Sequence, residues 1–399
     1  MEKPAIEGGD FVRSRSDYLV FGKPDIKEDE INEVIDTLRS GWIGTGPKVI
    51  KFENMFKEYI GSKYAIAVNS CTAALHLSML VSNIKQGDEV ITTPLTFAST
   101  ANSIIHLGAK PVFVDVDRKT MNIDPSLIED AITPKTKAII PVHLAGRPCE
   151  MNQIMKIAKQ HNLLVVDDAA HAIESRYKGK NVGNIADLTS FSFYVTKNII
   201  TGEGGMVTTN DLEKAELIKR YALHGLSSDA WKRYSDEGHK HYLVVWPGYK
   251  YNMTDMQASL GIHQLKRVEY NLKRREEIWS RYDESFKDLP FILPGKIEDD
   301  TRHARHLYTL LVDLDKIRIN RDQFIEALHY ENIGAGIHFI SLHLHPYYKE
   351  TYCYKKEDFP NAAFISDRTF SIPLSPKLTD KDVDDVIKAI KKISNYYQR

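Results

Sequence analysis

The sequence predicts an α/β protein with a mostly parallel central sheet and a smaller C-terminal α+β domain. Up to about residue 255, short apolar runs alternate with amphipathic helical patterns, which is typical of a parallel sheet with helices on both faces. A long helical pattern then covers residues 256–286, and a mixed pattern of helices and strands follows it. The candidate chemical residues fall where the predicted strands end, and ligands of such sheets bind at that edge.

These patterns divide the 399-residue chain into four segments. Residues 1–25 form an N-terminal arm that prolines and glycines interrupt, and residues 26–255 form the large domain. Residues 256–286 form a connecting helix in which a kink is allowed, and residues 287–399 form the small domain.

The composition excludes several classes of protein. Hydrophobic residues make up 42% and charged residues 27%, as in ordinary globular proteins. The 53 basic and 54 acidic residues give a net charge of -1, which disfavours a nucleic acid or an anionic membrane as partner. We expect neither a transmembrane helix nor a signal peptide. Three cysteines far apart in sequence argue against a disulfide framework and favour the cytoplasm: Cys71, Cys149 and Cys353.

The elements are predicted from the spacing of apolar residues. A helix over residues 26–38 leads into a turn-rich loop at residues 40–47, which is either a simple connection or a ligand clamp. Strands are predicted at residues 64–68, 89–92, 112–116, 137–142, 163–166 and 191–195, and helices at 72–80, 98–107 and 151–160. The small domain has predicted strands at 306–313 and 371–372, and helices at 321–331 and 380–393, the last with Thr379 as N-cap.

Lys197 follows a β-prone run and precedes the glycine-rich bend Thr201–Gly205. Most lysines are solvated, so a surface charge is one interpretation. The other is that a strand covered on both faces directs Lys197 into a cleft, where a desolvated amine loses its proton and attacks carbonyl carbons. This segment alone leaves both interpretations open.

Three further groups of residues lie at predicted strand ends. Ser70, Cys71 and Thr72 join a strand to a helix, and they form either an anion site or a plain N-cap. Neither a Rossmann fingerprint nor a Walker motif accompanies them. Phe97 is either a core residue or an aromatic plate for a planar ring. Asp168 either caps a helix or pairs with a protonated pyridine nitrogen.

Together these residues supply a phosphate cradle, an aromatic plate, an aspartate and a lysine on neighbouring strand ends. Pyridoxal phosphate (PLP) needs a phosphate anchor, a ring stack, a partner for its N1 atom and an amine for its aldehyde. The combination therefore predicts a PLP site, although each signal is weak by itself.

The chain closely resembles the DegT/DnrJ/EryC1/StrS family of sugar aminotransferases. The resemblance covers nearly the whole chain and is most specific from Asp168 to Gly205; its motifs are SGWIGTGP, NSCTAALHL, TTPLTFASTANSI, PVHLAGRP, VVDDAAHA, SFSFYVTKNIITGEGGM, GYKYNMTDMQASLG and SDRTFSIPL. It implies the type I, aspartate-aminotransferase-like PLP fold and a homodimer with shared active sites. It also implies site roles: Lys197 as Schiff-base lysine, Asp168 as N1 partner, His171 near the ring hydroxyl, Phe97 on the ring face, and Ser70, Cys71, Thr72 and Ser192 near the phosphate.

One stretch departs from the family pattern. Most members resemble G-[YF]-N-[YF]-R where this chain has Gly248–Asn252, so Lys250 replaces the asparagine that contacts the phosphate from the neighbouring subunit. Either Lys250, as a cationic substitute, or Asn252 is expected to take that contact. The stretch, together with His224–Trp231, resembles relatives of the UDP-4-amino-4-deoxy-arabinose aminotransferase, which favours amination at sugar C4 over C3.

The expected reaction is transfer of nitrogen from glutamate to a keto-sugar linked to UDP or dTDP, for a surface polysaccharide, a lipopolysaccharide or a related glycan. One alternative is a PLP-dependent sugar dehydratase, but such members resemble proteins with histidine at the lysine position. A second alternative is a non-catalytic sensor, which the intact Lys197 and Asp168 disfavour. His338, His343, His345 and Cys353 fit no zinc motif, and the loops at residues 40–47 and 338–348 are expected to shape the sugar pocket.

Overall fold

The computed structural model of the protein describes residues 2–226 and 243–399. The strands of the N-terminal part are β1 (Tyr64–Val68), β2 (Glu89–Thr92), β3 (Lys110–Phe113), β4 (Thr136–Ile140), β5 (Leu164–Asp168), β6 (Arg176–Tyr177), β7 (Lys180–Asn181), β8 (Leu188–Ser192) and β9 (Gly205–Thr209). Within the described residues, seven of them form one sheet in the order β1-β9-β8-β5-β4-β2-β3, and β6 and β7 pair as a separate hairpin.

The central sheet is mostly parallel, as predicted. Strands β3, β2, β4, β5 and β8 pair in parallel, whereas β9 is antiparallel to both of its neighbours. Because both β1 and β8 are antiparallel to β9, these two strands run in the same direction. The carboxyl ends of β1, β5 and β8 therefore lie along one edge, where Asp168 of β5 is opposite Ser190 of β8.

Helices cover both faces of this sheet: α1 (Glu28–Ser40), α2 (Pro47–Ile60), α3 (Cys71–Leu80), α4 (Ala98–Ile105), α5 (Met151–Gln160) and α6 (Leu212–Ala222). Successive residues of a strand pack in different hydrophobic clusters, because their side chains point to opposite faces of the sheet. Val166 packs in the cluster that contains α3 and α6, and Val165 packs with α5 on the other face. Both faces are buried, which explains the continuous apolar runs of the sequence.

The predicted strand at residues 191–195 was displaced by three residues, since β8 covers Leu188–Ser192. Strand β8 ends at Ser192, and the Phe193 amide donates to the Gly204 carbonyl as the chain turns. Helices α2 and α6 were not predicted. Helix α2 begins at Pro47, directly after the glycines of the loop, and its buried residues Phe52, Phe56 and Ile60 recur every four positions.

The predicted helix over residues 256–286 is two helices, α7 (Asp255–Lys266) and α8 (Val268–Phe286), separated at Arg267. The C-terminal part then contains β10 (Phe291–Ile292), β11 (Tyr308–Val312), α9 (Arg321–Tyr330), α10 (Pro346–Tyr352), α11 (Pro360–Ser366), β12 (Thr369–Ile372) and α12 (Asp380–Tyr397). Strands β10, β11 and β12 form an antiparallel sheet over its own apolar core. Thr379 caps α12 as predicted, since its side chain accepts from the Asp382 amide.

The N-terminal arm is extended apart from short turns at Ala5–Glu7 and Arg15–Asp17. It packs on the C-terminal part, where the buried carboxylate of Glu331 accepts from the amides of Ala5 and Val12. The four-segment division stays a prediction. None of the helices within residues 2–226 and 243–399 has the length and apolarity needed to cross a membrane.

Candidate active site

A cavity of about 460 Å³ opens at the carboxyl edge of the central sheet. Strands β1, β5 and β8 and the loops after them form its floor, and residues of the C-terminal part form one wall. Eight of the ten predicted site residues line this cavity: Ser70, Cys71, Thr72, Phe97, Asp168, His171, Ser192 and Lys197. The structure therefore brings together residues as far apart in the chain as Ser70 and Lys197.

Lys197 lies in a turn after β8, where its amide donates to the Tyr194 carbonyl at 2.8 Å. Burial lowers the pKa of its side chain to about 8, against the opposing influence of Cys71 and Asp168. Within the described residues, its ammonium nitrogen forms no hydrogen bond or salt bridge. A lysine with a depressed pKa and an unpartnered nitrogen is suited to attack a carbonyl carbon.

Asp168 is the last residue of β5, and it is 4% exposed. Its Oδ2 accepts from the Thr100 hydroxyl at 2.7 Å, and its Oδ1 accepts from the Ala170 amide at 3.1 Å. Burial raises the pKa of this carboxyl, while the two hydrogen bonds oppose the rise. The two bonds hold the carboxyl group in place, and it still lines the cavity, where a cationic N–H group would pair with it.

Helix α3 points its N-terminus into the cavity. Ser70 is its N-cap and accepts from the Ala73 amide at 3.1 Å, so Cys71 and Thr72 form the first turn. A Cβ atom on Gly205 would lie 2.5 Å from the Ser70 carbonyl oxygen and 2.8 Å from the Cys71 nitrogen. Only glycine allows β9 to approach so closely. Ser192, at the end of β8, lines the same part of the cavity, and a helix N-terminus flanked by hydroxyl groups is suited to bind an anion.

His171 and Phe97 both line the cavity but differ in exposure. His171 is buried, and its Nδ1 accepts from the Ala145 amide at 3.2 Å, so its Nε2 carries the proton. Burial lowers the pKa of His171 well below its ordinary value, which keeps the ring neutral. Phe97 is 62% exposed and packs at the rim, with its ring centroid 6.0 Å from that of Phe339.

Lys250 and Asn252 do not line this cavity. Lys250 is exposed, and its carbonyl accepts from the Asn69 side chain. Asn252 is partly buried, and its side chain donates to the Thr45 hydroxyl at 2.6 Å. Part of the His224–Trp231 stretch, residues 227–231, lies outside the described residues. Within those residues no cluster of histidine, cysteine, aspartate or glutamate is suited to hold a metal ion.

The sequence did not identify several residues that complete the site. Thr100, which fixes Asp168, comes from the buried face of α4, and His306 comes from the chain just before β11. His338, which belongs to the loop at residues 338–348 that was expected to shape the sugar pocket, also lines the cavity, and burial lowers its pKa to about 4. Thr100 lies within a family motif, but nothing local distinguishes its hydroxyl from those of its neighbours, and His306 lies far from the other site residues in sequence, so only the folded chain reveals these roles.

The residues present fit pyridoxal phosphate. A buried carboxylate at a strand end suits its ring nitrogen, an amine of depressed pKa suits its aldehyde, and the N-terminus of α3 suits its phosphate. The close approach at Gly205 leaves the first amides of α3 free of a side chain from β9. The donor set therefore agrees with the cofactor that the sequence predicts.

Comparison with known proteins decides the family. The DegT/DnrJ/EryC1/StrS aminotransferase family matches residues 24–391 of the chain. The chain belongs to this family. It is a PLP-dependent aminotransferase, which confirms the predicted enzyme class, cofactor and fold.

Two relatives match along almost their whole length. The chain is 59% identical to MJ1066 of Methanocaldococcus jannaschii, over 95% of this chain and 98% of that protein. It is 52% identical to the spore coat polysaccharide biosynthesis protein SpsC of Bacillus subtilis, over 96% and 98% of the two chains.

Solved structures of Streptococcus pneumoniae Spr1654, described as a sugar aminotransferase, give the same result. Its forms with PLP and with pyridoxamine phosphate (PMP) each superpose with a TM-score of 0.89 at 36% identity. The superposition covers 95% of this chain and 98% or more of Spr1654. Sugar aminotransferases therefore share both the fold and the family of this chain.

Proposed function

We propose that this aminotransferase transfers the amino group of glutamate to the keto group of a nucleotide-linked sugar. The carrier is UDP or dTDP, and C4 is favoured over C3 as the aminated carbon. The product is an amino-deoxy sugar for a surface polysaccharide or a related glycan. The observation that carries the proposal is an amine with a pKa of about 8 beside a buried carboxylate, in a cavity large enough for a cofactor and a sugar.

The assignment of a sugar pathway is supported by the likeness to SpsC and Spr1654, whose names refer to polysaccharide biosynthesis and to sugars. The stretch Gly248–Asn252 supports C4, because it resembles the branch of the family that aminates this carbon. A cytoplasmic location is supported by the unpaired thiols of Cys71, Cys149 and Cys353.

Lys197 has two roles in this proposal. Its unprotonated amine would hold the cofactor, and after release the same nitrogen moves a proton away from the reacting carbon of the amino donor. When bound, the cofactor supplies an aldehyde that exchanges with amines and a ring that delocalises the electron pair of that carbon. The depressed pKa supports both roles, since an amine that titrates near neutrality both accepts and returns a proton.

Asp168 and helix α3 would hold the two ends of the cofactor. Asp168 would keep the ring nitrogen protonated, and the hydroxyl of Thr100 and the amide of Ala170 fix its carboxyl group for that contact. The amides and hydroxyls at the start of α3, with Ser192, would bind the phosphate. His171 would donate from its Nε2 to the ring hydroxyl, and Phe97 would cover the ring face.

We further propose a homodimer in which Lys250 of the partner copy reaches the phosphate. Lys250 is exposed and its side chain is available, whereas the Asn252 amide already donates to Thr45. The exposed aromatic rings of Phe97 and Tyr194 at the cavity rim support this arrangement, because a second chain would cover them.

The test is 2-oxoglutarate release from glutamate in the presence of UDP- or dTDP-linked 4-keto-hexoses. Without the sugar, the wild-type enzyme should release at most one equivalent of 2-oxoglutarate per active site, and repeated turnover should require the sugar. Lys197→Ala should fold and lose turnover by at least about 1,000-fold, because no other group replaces both functions of the amine. Lys214→Ala removes a surface lysine paired with Asp211, and it should keep full activity. Substantial turnover by Lys197→Ala, or turnover without the sugar, would contradict the proposal.

A further inference from the structure

A chain of four polar residues, Arg275, Glu174, Asn198 and His306, leads from the protein interior to the cavity, which His306 lines. Arg275 and Glu174 form a salt bridge in which both side chains are almost fully buried. The Asn198 side chain donates to Glu174 Oε2 at 2.7 Å and to the Ala304 carbonyl at 3.1 Å. Because the Glu174 carboxylate and the Ala304 carbonyl both accept hydrogen bonds, they must face the NH₂ group of Asn198. The orientation of the amide is therefore fixed, and its Oδ1 faces His306.

This orientation determines the tautomer of His306. The Asn198 oxygen lies 2.9 Å from His306 Nδ1, and an oxygen of an amide only accepts, so Nδ1 carries the proton. Burial lowers the pKa of His306 well below its ordinary value, and the ring therefore stays neutral. Its Nε2 keeps a free lone pair, which has no hydrogen-bond partner within the described residues.

His171 is the counterpart of His306 in the cavity wall. The two rings lie 4.4 Å apart, and Ala145 connects them, since its amide donates to His171 Nδ1 and its carbonyl accepts from the His306 amide. His171 consequently offers a donor at Nε2, whereas His306 offers an acceptor. The cavity thus has two neutral imidazoles of opposite hydrogen-bonding sense.

We propose that His306 is a specificity-determining residue whose Nε2 accepts a hydrogen bond from a hydroxyl group next to the keto group of the sugar. The inference rests on the proposed function, because it assumes a keto-sugar substrate. Burying the salt bridge between Arg275 and Glu174 costs desolvation free energy. In return the pair fixes the orientation of Asn198, and this orientation keeps the Nε2 atom of His306 unprotonated. A free acceptor of this kind is matched by a hydroxyl, and keto-sugars carry hydroxyls beside the carbonyl.

Two other partners fit the acceptor less well. The Lys197 nitrogen lies outside hydrogen-bonding distance of His306 in the structure. Glutamate carries no hydroxyl, and its ammonium group would be recognised more strongly by a carboxylate than by a neutral imidazole. The proposal therefore separates the two halves of the reaction: His306 serves the sugar and not the amino donor.

The experiment measures the two halves separately on the holoenzyme, by the visible absorbance of the bound cofactor. Glutamate converts the aldehyde form to the amine form, and a UDP- or dTDP-linked 4-keto-hexose reverses the conversion. For His306→Leu we expect an unchanged rate with glutamate and a loss of roughly 10- to 100-fold in kcat/KM for the sugar. His306→Gln keeps an acceptor oxygen and should recover a large part of the loss.

A second measurement uses sugars that lack one hydroxyl. On a sugar that lacks the hydroxyl beside the carbonyl, the wild-type kcat/KM should fall to the value that His306→Leu shows on the complete sugar. His306→Leu should show no further loss on the sugar that lacks this hydroxyl. His303→Leu is the matched control, since His303 is buried in the same segment but lies outside the cavity. It should keep both half-reactions.

The outcomes distinguish this inference from the proposed function. If the wild-type enzyme turns over no keto-sugar, the proposed function fails. If it does turn over the sugar, and His306→Leu slows both half-reactions equally, changes the cofactor absorbance or loses nothing on the sugar, the role of His306 is contradicted and the proposed function stands.

Discussion

Asp168 and Glu174 are two buried carboxylates six residues apart, and they are stabilised in different ways. Glu174 has a complete set of partners, with Arg275 on one oxygen and Asn198 on the other. Asp168 has only a hydroxyl and an amide, and no arginine or lysine forms a salt bridge with it within the described residues. The fully partnered carboxylate of Glu174 therefore supports the wall, whereas that of Asp168 is left available for a cationic ligand.

The largest effect should come from removing the available charge. Asp168→Asn should lower turnover by about 1,000-fold, because an amide does not hold a proton on the ring nitrogen of the cofactor. The free energy of unfolding should stay the same or rise, since a desolvated charge is lost. Steady-state kinetics and urea unfolding check both parts, and a variant that is inactive only because it unfolds would refute the comparison.

Glu174→Gln should give the opposite result. The substitution leaves Arg275 buried without its charge partner, which should lower the free energy of unfolding by about 3 kcal/mol. Glu298→Gln is the control, because the Glu298 side chain is half exposed and the buried Arg147 keeps two carbonyl acceptors, those of Gly295 and Lys296, so the loss should cost less than about 1 kcal/mol. Equal urea midpoints for Glu174→Gln and the wild type would show that the buried pair does not stabilise the wall.

The smallest effect concerns the pH dependence of cofactor uptake. Burial lowers the pKa of Lys197 to about 8, and only the unprotonated amine attacks the aldehyde. Uptake of PLP by the apoenzyme should therefore accelerate as the pH rises and level off above about pH 8.

Asp168 raises the pKa of Lys197, so Asp168→Asn should move this midpoint to lower pH, by up to about one unit. Glu298→Gln should leave it in place. Stopped-flow absorbance measures the midpoint, and a midpoint near pH 10 in the wild type would mean that Lys197 is not desolvated.

The sequence predicted the parts of the site that lie next to strand ends. Asp168, Lys197 and Ser70 each follow an apolar run closely, and parallel strands bring their carboxyl ends to one edge. The mostly parallel sheet followed from the alternation of strands and helices. Helix α2 was missed because the glycines before Pro47 favoured a loop.

The chain of polar residues from Arg275 to His306 could not be predicted in this way. Glu174 and Arg275 are 101 positions apart, and Asn198 and His306 are 108 positions apart. No periodicity relates such residues, because their contacts depend on how α8 and the segment before β11 pack against the sheet. The pairing of charges in the interior is a property of the tertiary structure.

The central claim is that Lys197 binds the cofactor covalently. The most direct measurement is borohydride reduction of the purified enzyme after addition of PLP, followed by mass spectrometry of its peptides. We expect one phosphopyridoxyl group per chain, on the peptide that contains Lys197, and none in Lys197→Ala. A label on another lysine, or no label on the wild-type enzyme, would contradict it.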